Sequence, residues 1–117
     1  MKSYYIHFIC HGNIDETHKG KYIGTTNVPL SDKGKMELRK LDHNMKYPGG
    51  TALFTGPLKR CKETCEILYP SLKPIVIDQL TECNFGEWEG KTAEDLKDNE
   101  DFKVWLGGSS DIKPPRG

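Results

Sequence analysis

An apolar run, Tyr4-Tyr5-Ile6-His7-Phe8-Ile9, that breaks off at Cys10-His11-Gly12 constrains this chain more than any other feature. β-Branched and aromatic residues from Ser3 to Ile9, with no charged punctuation, predict a central strand covered on both faces. A glycine-permitted turn at its end leaves the last side chains at the carboxyl edge of a sheet, where α/β folds form their ligand crevice. His11 is therefore the first candidate functional residue. Inside the strand, His7 reads as a hydrogen-bonded core residue, whereas His18 and His43 sit in polar surroundings and read as solvated.

Residues 13–30 hold Gly20, Gly24 and Pro29 without a sustained period and predict a long loop, a length that tends to be functional or disordered. Ser31 caps a helix whose Leu38, Leu41 and Met45 keep helical spacing, and which stops before Pro48-Gly49-Gly50. Thr51 to Thr55 predicts a second strand. The next helix takes Pro57 at its first position and shows one stripe of Leu58, Cys61, Cys65 and Leu68. Both cysteines thus read as small core residues without a redox or metal role. Arg60 projects from the first turn of that helix, where a guanidinium and free backbone amides jointly favour an anion. An ordinary exposed surface arginine is the competing reading. Pro74 to Ile77 predicts a third strand, and Leu80 to Gly90 a connecting loop. Thr92 and Asp95 form a capping-box pattern, and Phe102, Trp105 and Leu106 give a short apolar face. The stretch from Gly107 through Pro114-Pro115-Arg116-Gly117 has the composition of a loop. Strand, loop and helix alternate three times, which predicts an α/β fold: a three-layer α/β/α sandwich on a mostly parallel sheet, as one domain over 1–117.

Composition narrows the function classes. The chain has 117 residues, 17 basic and 17 acidic, and this balance gives no case for nucleic acid or for an anionic membrane surface. Four cysteines without paired CxxC motifs point to a reducing compartment. With no apolar span and no leader pattern, the expected location is cytoplasmic. At 35% hydrophobic residues the expected core is thin.

In a sheet of this kind the loops after the three strands converge at one edge, which makes His11, Arg60 and Glu82 neighbours. A neutral imidazole attacks phosphorus, a guanidinium holds two oxygens of the transferring group, and a protonated carboxyl gives its proton to the leaving alkoxide. This set predicts metal-free and cofactor-free phosphoryl transfer through phosphohistidine.

At these residues the chain resembles the histidine phosphatase superfamily, which includes the phosphoglycerate mutases. Cys10-His11-Gly12 matches two of three places in its Arg-His-Gly motif. Gly24, Pro29, Leu30, Ser31 and Gly34 follow its Gly-x-x-Asp-x-Pro-Leu-Ser/Thr-x-x-Gly pattern, with Asn27 at the aspartate place. Pro57-Leu58-Lys59-Arg60-Cys61-Lys62-Glu63-Thr64 is similar to Ser-Pro-Leu-x-Arg-x-x-x-Thr, with Gly56 in the serine's place, and Glu82 with Phe85-Gly86-Glu87-Trp88-Glu89-Gly90 to Glu-x-x-Phe-Gly-x-Trp-Glu-Gly. Within the superfamily the pattern is most similar to small phosphatases of the α-ribazole phosphatase type. The resemblance implies a phosphoglycerate mutase-like fold and a phosphatase for a small phosphorylated metabolite. His11 would be the phosphorylated nucleophile, Arg60 a phosphate ligand and Glu82 the proton donor, with Gly12, Thr17 and Gly24 at phosphate-contacting positions.

Two departures set further expectations. Cys10 stands where the pattern has a phosphate-binding arginine, and a thiol supplies neither its charge nor its fork of donors. Loss of one such stabiliser costs on the order of a hundredfold in rate. The second histidine of the pattern, from a later His-Gly strand, has no counterpart, so the fold is expected to be incomplete at its C-terminal side. An unpaired edge, an exposed apolar face and self-association are expected to follow. Among rival readings, a cysteine phosphatase at Cys10 needs Cys-x5-Arg, and Glu16 occupies the arginine place. A zinc site from Cys10, His11 and Cys83 lacks close ligand pairing. A catalytically silent phosphate-binding or interaction module is the stronger rival, and a mutase-like phosphotransferase is the other.

Overall fold

Ser31 opens the first helix as its hydroxyl predicts: Ser31 Oγ accepts from Gly34 N at 2.9 Å, and α1 runs over Asp32–Met45. The computed structural model describes residues 2–45, 47–109 and 111–117; the Met45 side chain, which belongs to the predicted stripe, lies outside the described part. Leu38 of that stripe is buried, but Leu41 is 43% exposed, so the buried face of α1 is narrower than its spacing suggests. β1 (Phe54–Thr55), α2 (Lys59–Leu68) and β2 (Ile75–Val76) follow. Pro57 falls outside α2, because Leu58 is the N-cap and its carbonyl accepts from Cys61 N and Lys62 N at 3.1 Å.

The chain forms two compact units. The first comprises the residues up to Ile14 together with Val28–Leu80. Here β1 and β2 pair in parallel, Phe54 with Ile75 and Thr55 with Val76, and the ladder extends through Ile75 N to Leu53 O at 2.8 Å and Ile77 N to Thr55 O at 2.9 Å. α2 packs on α1 and on β1. Leu30, Leu38 and Leu68 form the core, with Ile9, Tyr47, Ile67 and Tyr69 against it. The predicted stripe of α2 is buried at Leu58, Cys65 and Leu68 and half-buried at Cys61.

The segment from Ser3 to Ile9 does not form the covered central strand its composition predicts. It pairs with no strand among the described residues, and Ile6 and Phe8 are 79% and 91% exposed, as are Tyr4 and Tyr5 before them. Apolar composition states that a segment needs cover, not which neighbour supplies it. An exposed apolar face is therefore present here. His7 is exposed as well, not a core residue.

The second unit comprises Asp15–Asn27 and Thr81–Gly117. Its core is aromatic: Trp88, Leu96 and Phe102 are buried, with Tyr22, Phe85 and Trp105 packed against them. Trp88 and Phe102 meet edge to face, with centroids 5.5 Å apart at 90°. Lys21 bridges Thr92, and Tyr22 exchanges backbone bonds with Lys91 and Gly90, each 2.9 Å. The capping box at Thr92 is reciprocal, Thr92 N to Asp95 Oδ2 at 2.9 Å and Asp95 N to Thr92 Oγ1 at 3.1 Å. It opens a run of turns instead of a helix. α3 (Glu100–Leu106) starts at Asn99, whose Oδ1 accepts from Phe102 N at 3.0 Å. Phe102 faces the core, while Leu106 is 62% exposed and lies off the predicted face. The last loop is docked: Pro114 is buried, and Pro115 O accepts from Glu87 N at 2.8 Å. No helix among the described residues is long and apolar enough to cross a membrane.

Asn99→Ala removes the α3 cap and is expected to cost about 1 kcal/mol, whereas Leu38→Ala should cost about 2–5 kcal/mol through lost burial and a cavity. Urea denaturation of the two variants beside the parent chain checks the order.

Candidate active site

His11 is half-buried, and its Nδ1 lies 2.7 Å from the carbonyl of Gly12. A carbonyl only accepts, so Nδ1 carries the proton and, in the neutral ring, Nε2 holds the lone pair. Gly12 is closely packed: a Cβ there would lie 2.6 Å from Leu38 Cδ1 and 3.4 Å from Leu30 Cδ2, so the buried Leu38 side chain would have to shift. Its amide donates to Thr64 Oγ1 at 3.1 Å, and Thr64 Oγ1 donates to Arg60 O at 2.7 Å. The histidine turn is thereby fastened to the first turns of α2. Thr64 returns its hydroxyl proton to the carbonyl four residues back, a habit of helical threonine.

Arg60 is 1% exposed, which excludes the reading of an ordinary surface arginine. A guanidinium taken out of water is costly unless acceptors replace the lost solvent. The same helix is anchored from below by Glu63, which accepts from Leu30 N at 3.0 Å and pairs with Lys35 at 3.0 Å. A cavity of about 480 Å³ opens in this unit, lined by His11, Thr55, Thr64, Ile6, Phe8 and Ile77 among others. Gly56 lines it as well, with the Leu80 carbonyl in the space a Cβ would need. Cys10 is exposed.

Three of the predicted positions, His11, Gly12 and Arg60, lie in the first unit, and Thr17, Gly24 and Glu82 in the second. Thr17 is exposed in a 3-10 turn, Glu16–His18, with its amide donating to Asp15 Oδ1 at 2.9 Å. That bond is the main reason the Asp15 carboxyl is held below its ordinary value. His18, read as solvated, is half-buried. Glu82 is exposed. Gly24 is buried so close to the Cys83 carbonyl that no side chain fits.

Sequence reasoning assigns no role to Thr64 or Glu89. The signal for Thr64 is its place four residues after Arg60 in the family motif. Glu89 Oε1 accepts from Thr26 N at 2.8 Å, Thr26 Oγ1 at 2.7 Å and Gly24 N at 3.0 Å, while Oε2 accepts from Gly24 N at 2.9 Å and Phe85 N at 3.3 Å. Burial pushes this carboxyl up, and the hydrogen bonds from Thr26, Gly24 and Phe85 outweigh it, so the net displacement is downward.

Residues 6–117 match the histidine phosphatase superfamily (branch 1), and the chain belongs to that superfamily. It is 32% identical over 87 residues to the uncharacterized phosphatase PhoE of Bacillus subtilis (strain 168), covering 73% of this chain and 45% of that protein. A putative alpha-ribazole-5'-P phosphatase from Escherichia coli K-12 superposes with a TM-score of 0.79 at 23% identity, over 92% of this chain and 55% of that one. Phosphoserine phosphatase from Entamoeba histolytica, solved with 3-phosphoglyceric acid, superposes with a TM-score of 0.76 at 25% identity, over 89% and 52%. These likenesses establish the α/β, phosphoglycerate mutase-like fold class. The chain spans about half the length of these relatives.

Two outcomes follow from the bonds described. Thr64→Val leaves the buried Gly12 amide without an acceptor and should cost about 1–3 kcal/mol in urea denaturation. For Glu89, the folded value lies below the ordinary 4.5, so its contribution to stability is complete above that value and is lost as pH falls through the lower folded one. Unfolding midpoints followed from about pH 7 to about pH 3 should therefore drop for the parent chain and drop less for Glu89→Gln.

Proposed function

We propose that this chain is a phosphomonoester phosphatase of the histidine phosphatase type, acting through a phosphohistidine intermediate on a small phosphorylated metabolite. His11 Nε2 attacks phosphorus, the P–O bond to the ester oxygen breaks, and the departing alkoxide takes a proton from the Glu82 carboxyl. Water then attacks the phosphohistidine, giving its proton to the Glu82 carboxylate as the P–N bond breaks and free phosphate forms. Arg60 neutralises charge on the transferring group, and Gly12, Thr17 and Gly24 shape its surroundings. One observation carries the reading: the Nδ1 bond to the Gly12 carbonyl leaves Nε2 as the nucleophilic nitrogen, on a turn tied to the helix of Arg60. The roles of Glu82, Thr17 and Gly24 rest on their places in the motifs.

Superfamily membership and phosphatase-named relatives support the reaction class. Cys10 favours a second reading, a phosphate-binding module that does not turn over, because the thiol replaces the guanidinium of the family motif. The exposed run from Tyr4 to Phe8 further supports self-association of the chain through that apolar face, read out as a sedimentation coefficient that rises with concentration.

Incubation with a phosphomonoester carrying radiolabelled phosphate should leave an acid-labile, alkali-stable label on the chain and none on His11→Asn. Label only in Cys10→Arg selects the silent module for the natural chain. Absence of label from both overturns the phosphohistidine reading.

A further inference from the structure

The Glu89 carboxylate accepts hydrogen bonds from two loops of proposed function at once. On one side are Gly24 and Thr26, on the other Phe85, three residues beyond Glu82. Gly24 also abuts the Cys83 carbonyl with no room for a side chain, so the two segments touch directly beside the clamp. We infer that Glu89 is a positioning residue that fixes the Gly24 loop against the Glu82 loop in the arrangement that phosphate binding uses. The inference rests on the phosphatase reading above.

The chemistry demands a carboxylate. Three backbone amides and one hydroxyl converge on two oxygens, and an ionised carboxyl is the side chain that only accepts, on both atoms. Bonds to a charged acceptor are about twice as strong as neutral ones, which suits a clamp whose carboxyl is half-buried. Glutamine would offer one oxygen and set an NH2 group against converging N–H donors. Because the Gly24 amide is spent on Glu89, Gly24 serves the phosphate through the path of its backbone, and that path is what the clamp sets.

The test uses the full 117-residue chain, with inorganic phosphate titrated in and amide resonances followed by NMR. In the parent chain the Gly24, Thr26 and Phe85 amides should share one acid midpoint, the mark of a single carboxyl. Phosphate affinity should fall about tenfold in Glu89→Gln, and stay unchanged in Glu87→Gln, whose carboxylate is exposed and pairs with Arg116. The Trp88 indole resonance reports whether the aromatic core persists. Unchanged affinity in a folded Glu89→Gln overturns the clamp and leaves the phosphatase reading standing. Failure of the parent chain to bind phosphate overturns that reading, and the clamp's purpose with it, even where the shared midpoint is seen. If Glu89→Gln unfolds, Thr26→Val decides: it keeps the carboxylate and the amides and removes one donor, and affinity equal to the parent overturns the proposal.

Discussion

The hydroxyl of Thr64 is the joint on which the placement of His11 depends. It accepts the buried Gly12 amide and passes its own proton to the Arg60 carbonyl, so the turn that aims His11 and the helix that carries Arg60 share one hydrogen-bonded link. The link is sheltered from water, where an unmade bond is costly. Around it the packing is close: a side chain at position 12 would displace Leu38. The imidazole is then fixed by the next carbonyl along, and the choice of nitrogen follows from geometry instead of titration.

The second unit answers the same need with charge. Its aromatic core sets the scaffold, but the loops that carry Gly24 and Glu82 are polar, and Glu89 gathers their amides onto two oxygens. A hydroxyl relay suits a buried site next to a helix, where one donor and one acceptor need joining. A carboxylate suits a half-buried site where several donors converge. Each device ties a position of the proposed site to backbone elsewhere in its own unit.

Local signals were legible where the cause is local. Ser31 as a cap, the reciprocal Thr92 and Asp95 bonds and the buried stripe of α2 all follow from residues close in sequence. What depended on distant partners was not legible. The run from Ser3 to Ile9 reads as a covered strand, yet it lacks a neighbour among the described residues. Leu41 and Leu106 keep helical spacing but are exposed on α1 and α3. The burial of Arg60 cannot be read from a helix pattern that equally fits a solvated arginine. Glu89 stood inside a family motif without a role, because the amides it gathers come from a loop sixty-odd residues earlier. His11 and Gly12 are picked out by their place in the family motif, whereas the covered strand expected to present them is not formed among the described residues.

The central claim is that the turn at Gly12 holds His11 as the Nδ1-protonated tautomer, with Nε2 ready to attack. Long-range proton–nitrogen correlation NMR of the His11 ring, at a pH where it is neutral, tests this directly. The account predicts a pyrrole-type shift for Nδ1 and a pyridine-type shift for Nε2, and a loss of that pattern in Thr64→Val. A pyridine-type Nδ1, or two averaged nitrogens in the parent chain, would contradict it.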